Sequence, residues 1–144
     1  MNAAAEVVLE QLMAGFFEAV SFREGSYPCR DRLVRIFASE GRLIRNTSGA
    51  PEVSTVSDFI TSRETSIITG ELLSFSEFEV ASSTTVFGNM AHRLSVYRKS
   101  ALTHSGKIES KGVISTQFSQ TRSGWNIISM SWDDERPGLS VPEL

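Results

Sequence analysis

The amino-acid sequence predicts an α+β fold in which the helices precede a mainly antiparallel sheet. Residues 3–20 place apolar side chains at spacings of three and four, which is the pattern of an amphipathic helix. From residue 75 to residue 134 the chain is instead rich in β-branched, aromatic and serine residues, as strands are. Gly88-Asn89 separates two of these runs and fits a two-residue hairpin turn. The predicted order is helix, helix, strand, helix, then about four antiparallel strands.

The predicted helices have recognisable starts and stops. Asn2 is expected to cap the first helix, and Pro28 suits the first turn of a short second helix, CRDRLVRIF. Gly41 is expected to end that region, with a short strand, RLIRNT, after it and a loop, SGAPE, beyond. The Thr-x-x-Asp capping box that begins at Thr55 predicts the third helix, and Gly70 is its expected stop.

The two glycine turns at 88–89 and 123–124 set the expected strand register. Without bulges, the turns place the following pairs opposite one another: Thr85 and His92, Val80 and Tyr97, Phe118 and Ser129, and Met130 and Gln117.

The last predicted strand, GWNIISMSWDD, carries apolar residues on both alternations. A strand with one wet face should alternate between apolar and polar residues, so both faces of this sheet are expected to be covered. The helices can cover one face, and a second copy of the chain is the expected cover of the other. The residues predicted for that homodimer interface, on the outer face of the sheet, are His92, Leu94, Val96, Ile128, Met130 and Trp132.

Composition bounds the function. The chain has 144 residues, 40% of them hydrophobic and 22% charged, which predicts one globular domain with a core at about 3–135 and a loose tail at 136–144. A net charge of −3 argues against nucleic acid as a partner. No stretch approaches the roughly 20 apolar residues of a membrane helix, and no basic segment precedes the first apolar run, so a cytoplasmic protein is expected. The single cysteine and two histidines form no metal-ligand pattern, and neither a metal nor a cofactor is expected.

The order of elements and four segments resemble the nuclear transport factor 2-like superfamily, which includes ketosteroid isomerases and polyketide-cyclase-like proteins. The segments are IFASEGRLIRN, TVSDFI, VFGNMAHRLSVY and TRSGWNIISMSW, and the resemblance covers about residues 5–135. It implies a cone in which a curved, mixed and mainly antiparallel sheet wraps three N-terminal helices and leaves a pocket at its wide end. It also implies dimerisation through the convex face of the sheet, as in many members.

The same resemblance argues against one reaction. A ketosteroid isomerase would carry a carboxylate base near the end of the first strand, at the position of Asn46, and asparagine cannot abstract a proton. Such an enzyme would also carry a tyrosine within the first helix, whereas Tyr27 follows that helix. The chain is therefore not expected to isomerise a ketosteroid.

The residues that could line a pocket follow from strand parity. Arg93 and Tyr97 share a face, and a buried arginine needs a carboxylate or an anionic ligand beside it. Asp133 is assigned to the same side, with Glu77 or Glu79 as further neighbours. The complete set of predicted pocket residues is Arg93, Tyr97, Asp133, Ser131, Asn46, Arg63 and Tyr27.

The leading functional hypothesis is a domain that binds a small organic molecule in a partly apolar pocket, with no reaction assigned. One alternative is a lyase or isomerase with a single general base, Asp133, and with Tyr97 or Arg93 polarising a carbonyl. The other is a non-catalytic dimeric association module. An enzyme needs a titratable group inside an open cavity, whereas a binding domain needs only a cavity with polar anchors.

Overall fold

The computed structural model describes residues 2–144, which form three helices and six strands. The helices are α1 (Ala3–Val20), α2 (Arg30–Ile36) and α3 (Val56–Ile68). The strands are β1 (Phe37–Arg45), β2 (Glu52–Thr55), β3 (Leu72–Phe87), β4 (Met90–Thr103), β5 (Gly106–Thr121) and β6 (Gly124–Asp134).

The strands form one sheet in the order β2-β1-β6-β5-β4-β3. Only the β1–β6 pair is parallel among the described strands, and every other pair is antiparallel. The curved, mainly antiparallel sheet with three N-terminal helices confirms the predicted α+β cone. The short strand β2 is an addition, because the sequence around it was interpreted as a loop. Its Glu52 lies opposite Arg45 of β1 at the edge of the sheet.

Capping side chains define two of the helices as predicted. The Asn2 Oδ1 atom accepts a hydrogen bond from the backbone N–H of Ala5, at 3.1 Å, at the start of α1. The Thr55 Oγ1 atom accepts one from the backbone N–H of Asp58, also at 3.1 Å, at the start of α3. Gly70 follows α3 with φ of +82°, a conformation that favours glycine.

The boundary between α2 and β1 differs from the prediction. The chain becomes extended at Phe37, so Gly41 lies inside β1 and does not end the helical region. The pairing of β1 with β6 shifts between Phe37 and Arg42, and a Cβ at Gly41 would lie 2.9 Å from the carbonyl oxygen of Ala38. Gly41 therefore allows a tight irregularity within the strand.

The hydrophobic core lies between the inner face of the sheet and the helices. Leu9 and Met13 of α1, Leu33 of α2 and Ile60 of α3 are almost completely buried there. The aromatic members pack edge to face, with the Phe16 ring 5.4 Å from Phe17 and 6.3 Å from Phe37 between centroids. The sheet contributes Leu43, Phe75, Ala91, Tyr97, Ile114, Phe118, Trp125, Ile127 and Met130.

A bulge in β6 explains why this strand is apolar on both alternations. The hairpin turns at Arg122-Ser123, one residue earlier than predicted, and Phe118 lies opposite Ile127 while Gln117 lies opposite Ser129. Ile128 is the extra residue, and the side-chain alternation changes phase at that point. As a result, Trp125, Ile127, Met130 and Trp132 all face the helices. The predicted pair Phe118–Ser129 is wrong because the turn lies one residue earlier, and Gln117–Met130 is wrong because of the turn and the bulge together.

A second bulge lies in β3. The pairs close to the β3–β4 turn match the prediction, including Thr85 with His92. Beyond them the register shifts, so that Tyr97 lies opposite Glu79 and not opposite Val80 as predicted. The inner face of β3 consequently carries odd-numbered residues before the bulge and even-numbered residues after it.

The segment after β6 makes local contacts. Arg136 and Leu139 pair as an isolated bridge, and the Glu135 Oε2 atom accepts a hydrogen bond from the backbone N–H of Val141 at 2.9 Å. Among residues 2–144, no helix is both long and apolar enough to cross a membrane.

Candidate functional site

A pocket of about 440 Å³ opens between α3 and the inner face of the sheet. All six strands contribute to its wall, as do α1 and α3. This volume is within the range of small-molecule sites, about 300–1,000 Å³. The wall is apolar toward the core and carries charged side chains on β1, β2, β3, β4, β6 and α3.

The apolar part of the wall includes Trp132, which was predicted to lie in a dimer interface. Its indole packs edge to face on Phe59 of α3, with 6.1 Å between ring centroids. The prediction for Trp132 is therefore wrong, and the cause is the β6 bulge, which turns the side chain toward the helices. Met130 is likewise corrected, because it is completely buried in the core.

Arg63 of α3 lines the pocket without a carboxylate partner. Its guanidinium carbon lies 5.2 Å from the Phe59 ring centroid and 4.8 Å from the Phe75 ring centroid. No hydrogen bond or ion pair to this guanidinium is formed by the part of the chain from residue 2 onward. Burial lowers the pKa of Arg63, and the charge of Glu77 partly opposes that shift. An aromatic-stacked, unpaired arginine is suited to bind an anion.

The floor of the pocket is a row of polar residues across β3, β4 and β6. Glu77 and Lys99 are opposite each other in the β3–β4 pair. The Lys99 Nζ atom lies 2.9 Å from the Asp134 Oδ1 atom and 5.2 Å from the Tyr97 ring centroid. The Tyr97 hydroxyl donates to the Asp134 carboxylate and also contacts the carbonyl oxygen of Asp133 at 3.0 Å. Lys99 and Tyr97 thus neutralise and orient Asp134.

Glu77 has a different environment from Asp134. Its carboxylate accepts no hydrogen bond from any residue in the range 2–144. Burial raises the pKa of Glu77 from 4.5 to about 7, against the opposing charges of Lys99 and Arg63. This carboxyl can therefore gain or lose a proton near neutral pH inside a pocket, which is a property of acid–base groups in sites.

Burial is the largest cause of the raised pKa of Tyr97, and the hydrogen bond to Asp134 raises it further. The phenol reaches β6 by crossing β5 at Gly112, the residue directly opposite Tyr97 in the β4–β5 pair. A Cβ on Gly112 would lie 2.7 Å from the Tyr97 Cζ atom. The absence of a side chain at Gly112 therefore makes room for the phenol. Tyr97 lies beneath the pocket wall and does not line the cavity, contrary to the prediction.

Arg93 is also placed differently from the prediction. It is buried on the inner face, but nearer the β3–β4 hairpin, and it does not line the pocket. Its guanidinium forms two hydrogen bonds with Glu79, at 3.0 and 2.6 Å, and one with Thr84 at 2.8 Å. Ser95 donates to the same carboxylate at 2.6 Å. Arg93 therefore has its carboxylate within the protein, and that carboxylate is one of the two suggested by the sequence.

Asp133 lies outside the pocket, on the opposite face of β6 from Asp134. Its carboxylate accepts hydrogen bonds from Arg136 Nη1 and from the backbone N–H of Asp134, both at 2.8 Å. The predicted base is therefore the wrong member of the acidic pair. The bulge at Ile128 exchanged the parity on which the prediction rested.

Asn46, Ser131 and Tyr27 are the remaining corrections to the predicted pocket, since none of them lines it. The Asn46 side-chain amide donates to Ser131 Oγ at 2.9 Å and to the carbonyl oxygen of Trp132 at 3.0 Å, fastening the end of β1 to β6. Tyr27 is half exposed in the connection between α1 and α2. Of the predicted pocket residues, Arg63 alone lies in the wall of the described cavity.

The functional residues that the sequence analysis did not identify are Lys99 and Asp134, together with the position of Glu77 in the pocket. Without the β3 bulge, the predicted register would pair Lys99 with Phe78. The bulge shifts the pairing so that Glu77 and Lys99 meet. The periodicity of the sequence contains no signal for either bulge, so only the hairpin turns and local parity could be used.

The outer face of the sheet keeps four of the six predicted interface residues. His92, Leu94 and Val96 occupy the even positions of β4, opposite in direction to Arg93 and Tyr97. Ile128 is the bulge residue of β6, and Val96 is buried although it is not part of the main core.

Within residues 2–144, no group of three or more His, Cys, Asp or Glu side chains is arranged to hold a metal ion.

No family model matches the chain, and no curated protein sequence does. Solved structures are similar to it at low identity. The nuclear transport factor 2-like superfamily protein from Salmonella enterica serovar Typhimurium is 11% identical, with a TM-score of 0.76 over 98% of this chain and 99% of that one. A Kribbella flavida protein is 13% identical, with a TM-score of 0.76 over 92% of each chain.

A Caulobacter vibrioides protein with a cystatin-like fold is 12% identical, with a TM-score of 0.71 over 94% of this chain and 93% of that one. The chain therefore has the cone fold of the nuclear transport factor 2-like and cystatin-like proteins. No specific reaction follows from this likeness, because one fold supports many functions.

Proposed function

We propose that the chain binds a small organic carboxylate in the pocket of the cone. The observation that supports this proposal is the Arg63 guanidinium, which is stacked between Phe59 and Phe75 and has no carboxylate of the described chain beside it. A half-buried guanidinium is partly desolvated and gains from an anionic partner, and a planar carboxylate can accept two of its N–H groups at once. The aromatic surfaces around Arg63 and Trp132 favour a ligand with a flat apolar body.

Replacement of Arg63 by methionine is expected to weaken the binding of a benzoate ligand by 10- to 100-fold. Methionine keeps an apolar side chain against the two phenylalanine rings but removes the charge-assisted hydrogen bonds, which contribute roughly 1.5–3 kcal/mol. Isothermal titration calorimetry with 4-acetylbenzoate would measure the change. Arg98→Met is the matched control, because Arg98 is exposed on the outer face of β4. Equal affinities for wild type and Arg63→Met would contradict the proposal.

A second candidate is an acid–base enzyme of the polyketide-cyclase-like or isomerase type. The observation that favours it is the Glu77 carboxyl, which lies in the pocket with a pKa near 7. A general base works best when its pKa is close to the working pH. Glu77 therefore replaces Asp133 as the residue proposed for that role, with Lys99, opposite it in the β3–β4 pair, as a cation in the same pocket wall. For either function, we also propose that the protein is located in the cytoplasm.

The outer face of the sheet is proposed as a homodimer interface, which is also the surface that a pure association module would use. After correction, Leu94 and Ile128 remain on this face as half-buried apolar residues, and Val96 is already buried within the chain. Phe78 and Phe87 of β3 are exposed on the same face. Exposed apolar side chains on a sheet face are typical of association surfaces. Met130 and Trp132 are no longer part of this patch.

Leu94→Glu is expected to convert a dimer into a folded monomer, because the change places a charge at the centre of the proposed interface. Sedimentation velocity at micromolar concentration would measure the association state, and circular dichroism would test the fold. Ile108→Glu is the control, because Ile108 is exposed on the β4–β5 hairpin, away from that centre. A wild-type chain that sediments as a monomer would exclude this interface.

A further inference from the structure

Most charged side chains in the pocket already have a partner. Lys99 is paired with Asp134 at 2.9 Å, and Arg45 of β1 is paired with Glu52 of β2 at 3.8 Å. Each pair is close to neutral as a unit, so it contributes little net charge to a ligand in the cavity.

Three ionisable groups in the wall remain without such a partner among residues 2–144: Glu71, which is exposed ahead of β3, and Arg63 and Glu77, which are half-buried. Arg63 has only its two aromatic neighbours, and the carboxyl of Glu77 accepts no hydrogen bond from the residues that the structure describes. They attract each other electrostatically but form no ion pair. The half-buried cation and the half-buried carboxyl, apart from each other in a single cavity, are complementary to a ligand with two polar ends.

The protonation of Glu77 decides which second polar end fits. Glu77 is faced by Lys99 from β4, by Arg63 from α3 and by Asp134 from β6. The α1 residues that line the cavity are not titratable, and the nearest charges on β1 and β2 are the Arg45–Glu52 pair.

In the empty pocket the ionised carboxylate of Glu77 is favoured by the charge of Arg63. A ligand carboxylate bound to Arg63 neutralises that charge and adds a second negative charge in a partly desolvated space. Binding of an anion must therefore favour the protonated form of Glu77.

We infer that the ligand is a carboxylic acid whose distal group is a hydrogen-bond acceptor such as a carbonyl, and that Glu77 takes up a proton on binding and donates it in a hydrogen bond to that group. This inference rests on the proposed function, since it requires a carboxylate on Arg63. A protonated carboxyl has one O–H donor, which a carbonyl oxygen of the ligand can accept.

An acid with a distal ammonium group is disfavoured by the same geometry. That ammonium would approach Lys99, which is opposite Glu77 in the β3–β4 pair, and it would require Glu77 to stay ionised. Burial raises the pKa of Glu77 more than the charges of Lys99 and Arg63 lower it, so little free energy is needed to protonate this carboxyl when an anion binds.

Three benzoates of similar shape distinguish these possibilities by calorimetric titration at pH 6 and pH 8.5. They are 4-acetylbenzoate with an acceptor, 4-(aminomethyl)benzoate with an ammonium, and 4-isopropylbenzoate with neither. The expected order places 4-acetylbenzoate as the tightest ligand. Because only the fraction with protonated Glu77 binds, its affinity should fall about 30-fold from pH 6 to pH 8.5, approaching tenfold per pH unit above pH 7.

Glu77→Gln separates protonation from packing. The amide is always neutral and can still donate to a carbonyl, so this variant should bind 4-acetylbenzoate at pH 8.5 with the affinity that wild type has at pH 6. Glu40→Gln, at an exposed position of β1, should keep the wild-type pH dependence.

The outcomes separate the inference from the proposed function. Tightest binding of 4-(aminomethyl)benzoate, or an affinity for 4-acetylbenzoate that does not fall with pH, would overturn the inference and leave the carboxylate site standing. If none of the three benzoates binds, or if Arg63→Met binds them as wild type does, the proposed function fails and the inference fails with it.

Discussion

Gly112→Ala is expected to lower the free energy of unfolding by about 3 kcal/mol, at the upper end of the usual cost of overpacking. The added Cβ would collide with the carbonyl oxygen of Asp133 and with the hydroxyl of Tyr97, and would lie 2.7 Å from the Tyr97 Cζ atom. The first of these atoms is backbone of the neighbouring strand, and the Tyr97 side chain is completely buried. Neither can move aside without breaking the β5–β6 pairing or displacing the phenol from Asp134.

Urea denaturation of the purified variant measures this cost, and Gly15→Ala is the matched control. A Cβ at Gly15 would lie 3.2 Å from an Arg32 guanidinium nitrogen, which is the end of a flexible side chain. Because alanine is about 1 kcal/mol more favourable than glycine inside a helix, Gly15→Ala should be neutral or stabilising. The same unfolding midpoint for Gly112→Ala and wild type would show that Tyr97 does not cross β5 at this glycine.

Glu77→Gln is expected to raise the free energy of unfolding at pH 8 by up to about 3 kcal/mol and to leave it almost unchanged at pH 4. Burial raises the pKa of Glu77 to about 7 from an ordinary value of 4.5, so the folded chain holds this proton more tightly than the unfolded chain. The contribution of the Glu77 carboxyl to the free energy of unfolding is therefore fully present below about pH 4.5 and is lost as the pH rises to about 7. Glutamine carries no charge to desolvate, and its variant avoids that loss.

Unfolding by urea from pH 4 to pH 8 tests this prediction, with Glu40→Gln as a control that should follow wild type throughout. The two curves for wild type and Glu77→Gln should meet at low pH and diverge between about pH 4.5 and pH 7. Curves that stay parallel across this range would mean that the Glu77 carboxyl is hydrated in the folded protein.

Features that depend on local sequence were predictable. The caps at Asn2 and Thr55 and the turn at Gly88-Asn89 each follow from a few adjacent residues, and all three are present. The order of the helices and long strands follows from periodicity and gave the fold class. Strand β2 was not predictable in this way, because its four residues have no alternation long enough to read and become a strand only by pairing with β1.

The composition of the pocket depends on features that are not local. Arg63 was predicted to line the pocket, and it lies in the pocket wall. The direction of a side chain on a helix does not depend on strand register, so no bulge could alter that prediction. In contrast, Asp133 was chosen over Asp134, and Lys99 was not identified, because each assignment required the parity of a strand beyond a bulge. Since a bulge is stabilised by the tertiary fit of the sheet, hydrophobic alternation along one strand does not reveal it.

The bulge in β6 also changes where the chain can shorten. Removing the codon for Ile128 would leave a regularly alternating strand in which Ile127 and Met130 still point toward the helices and Asp134 still points into the pocket. The interior of the sheet therefore contains a point where a one-residue deletion preserves both faces, although length changes are normally confined to loops. In an alignment of this chain with a relative that lacks this residue, a gap placed after β6 would match Asp133 with the pocket acid, whereas a gap at Ile128 would match Asp134.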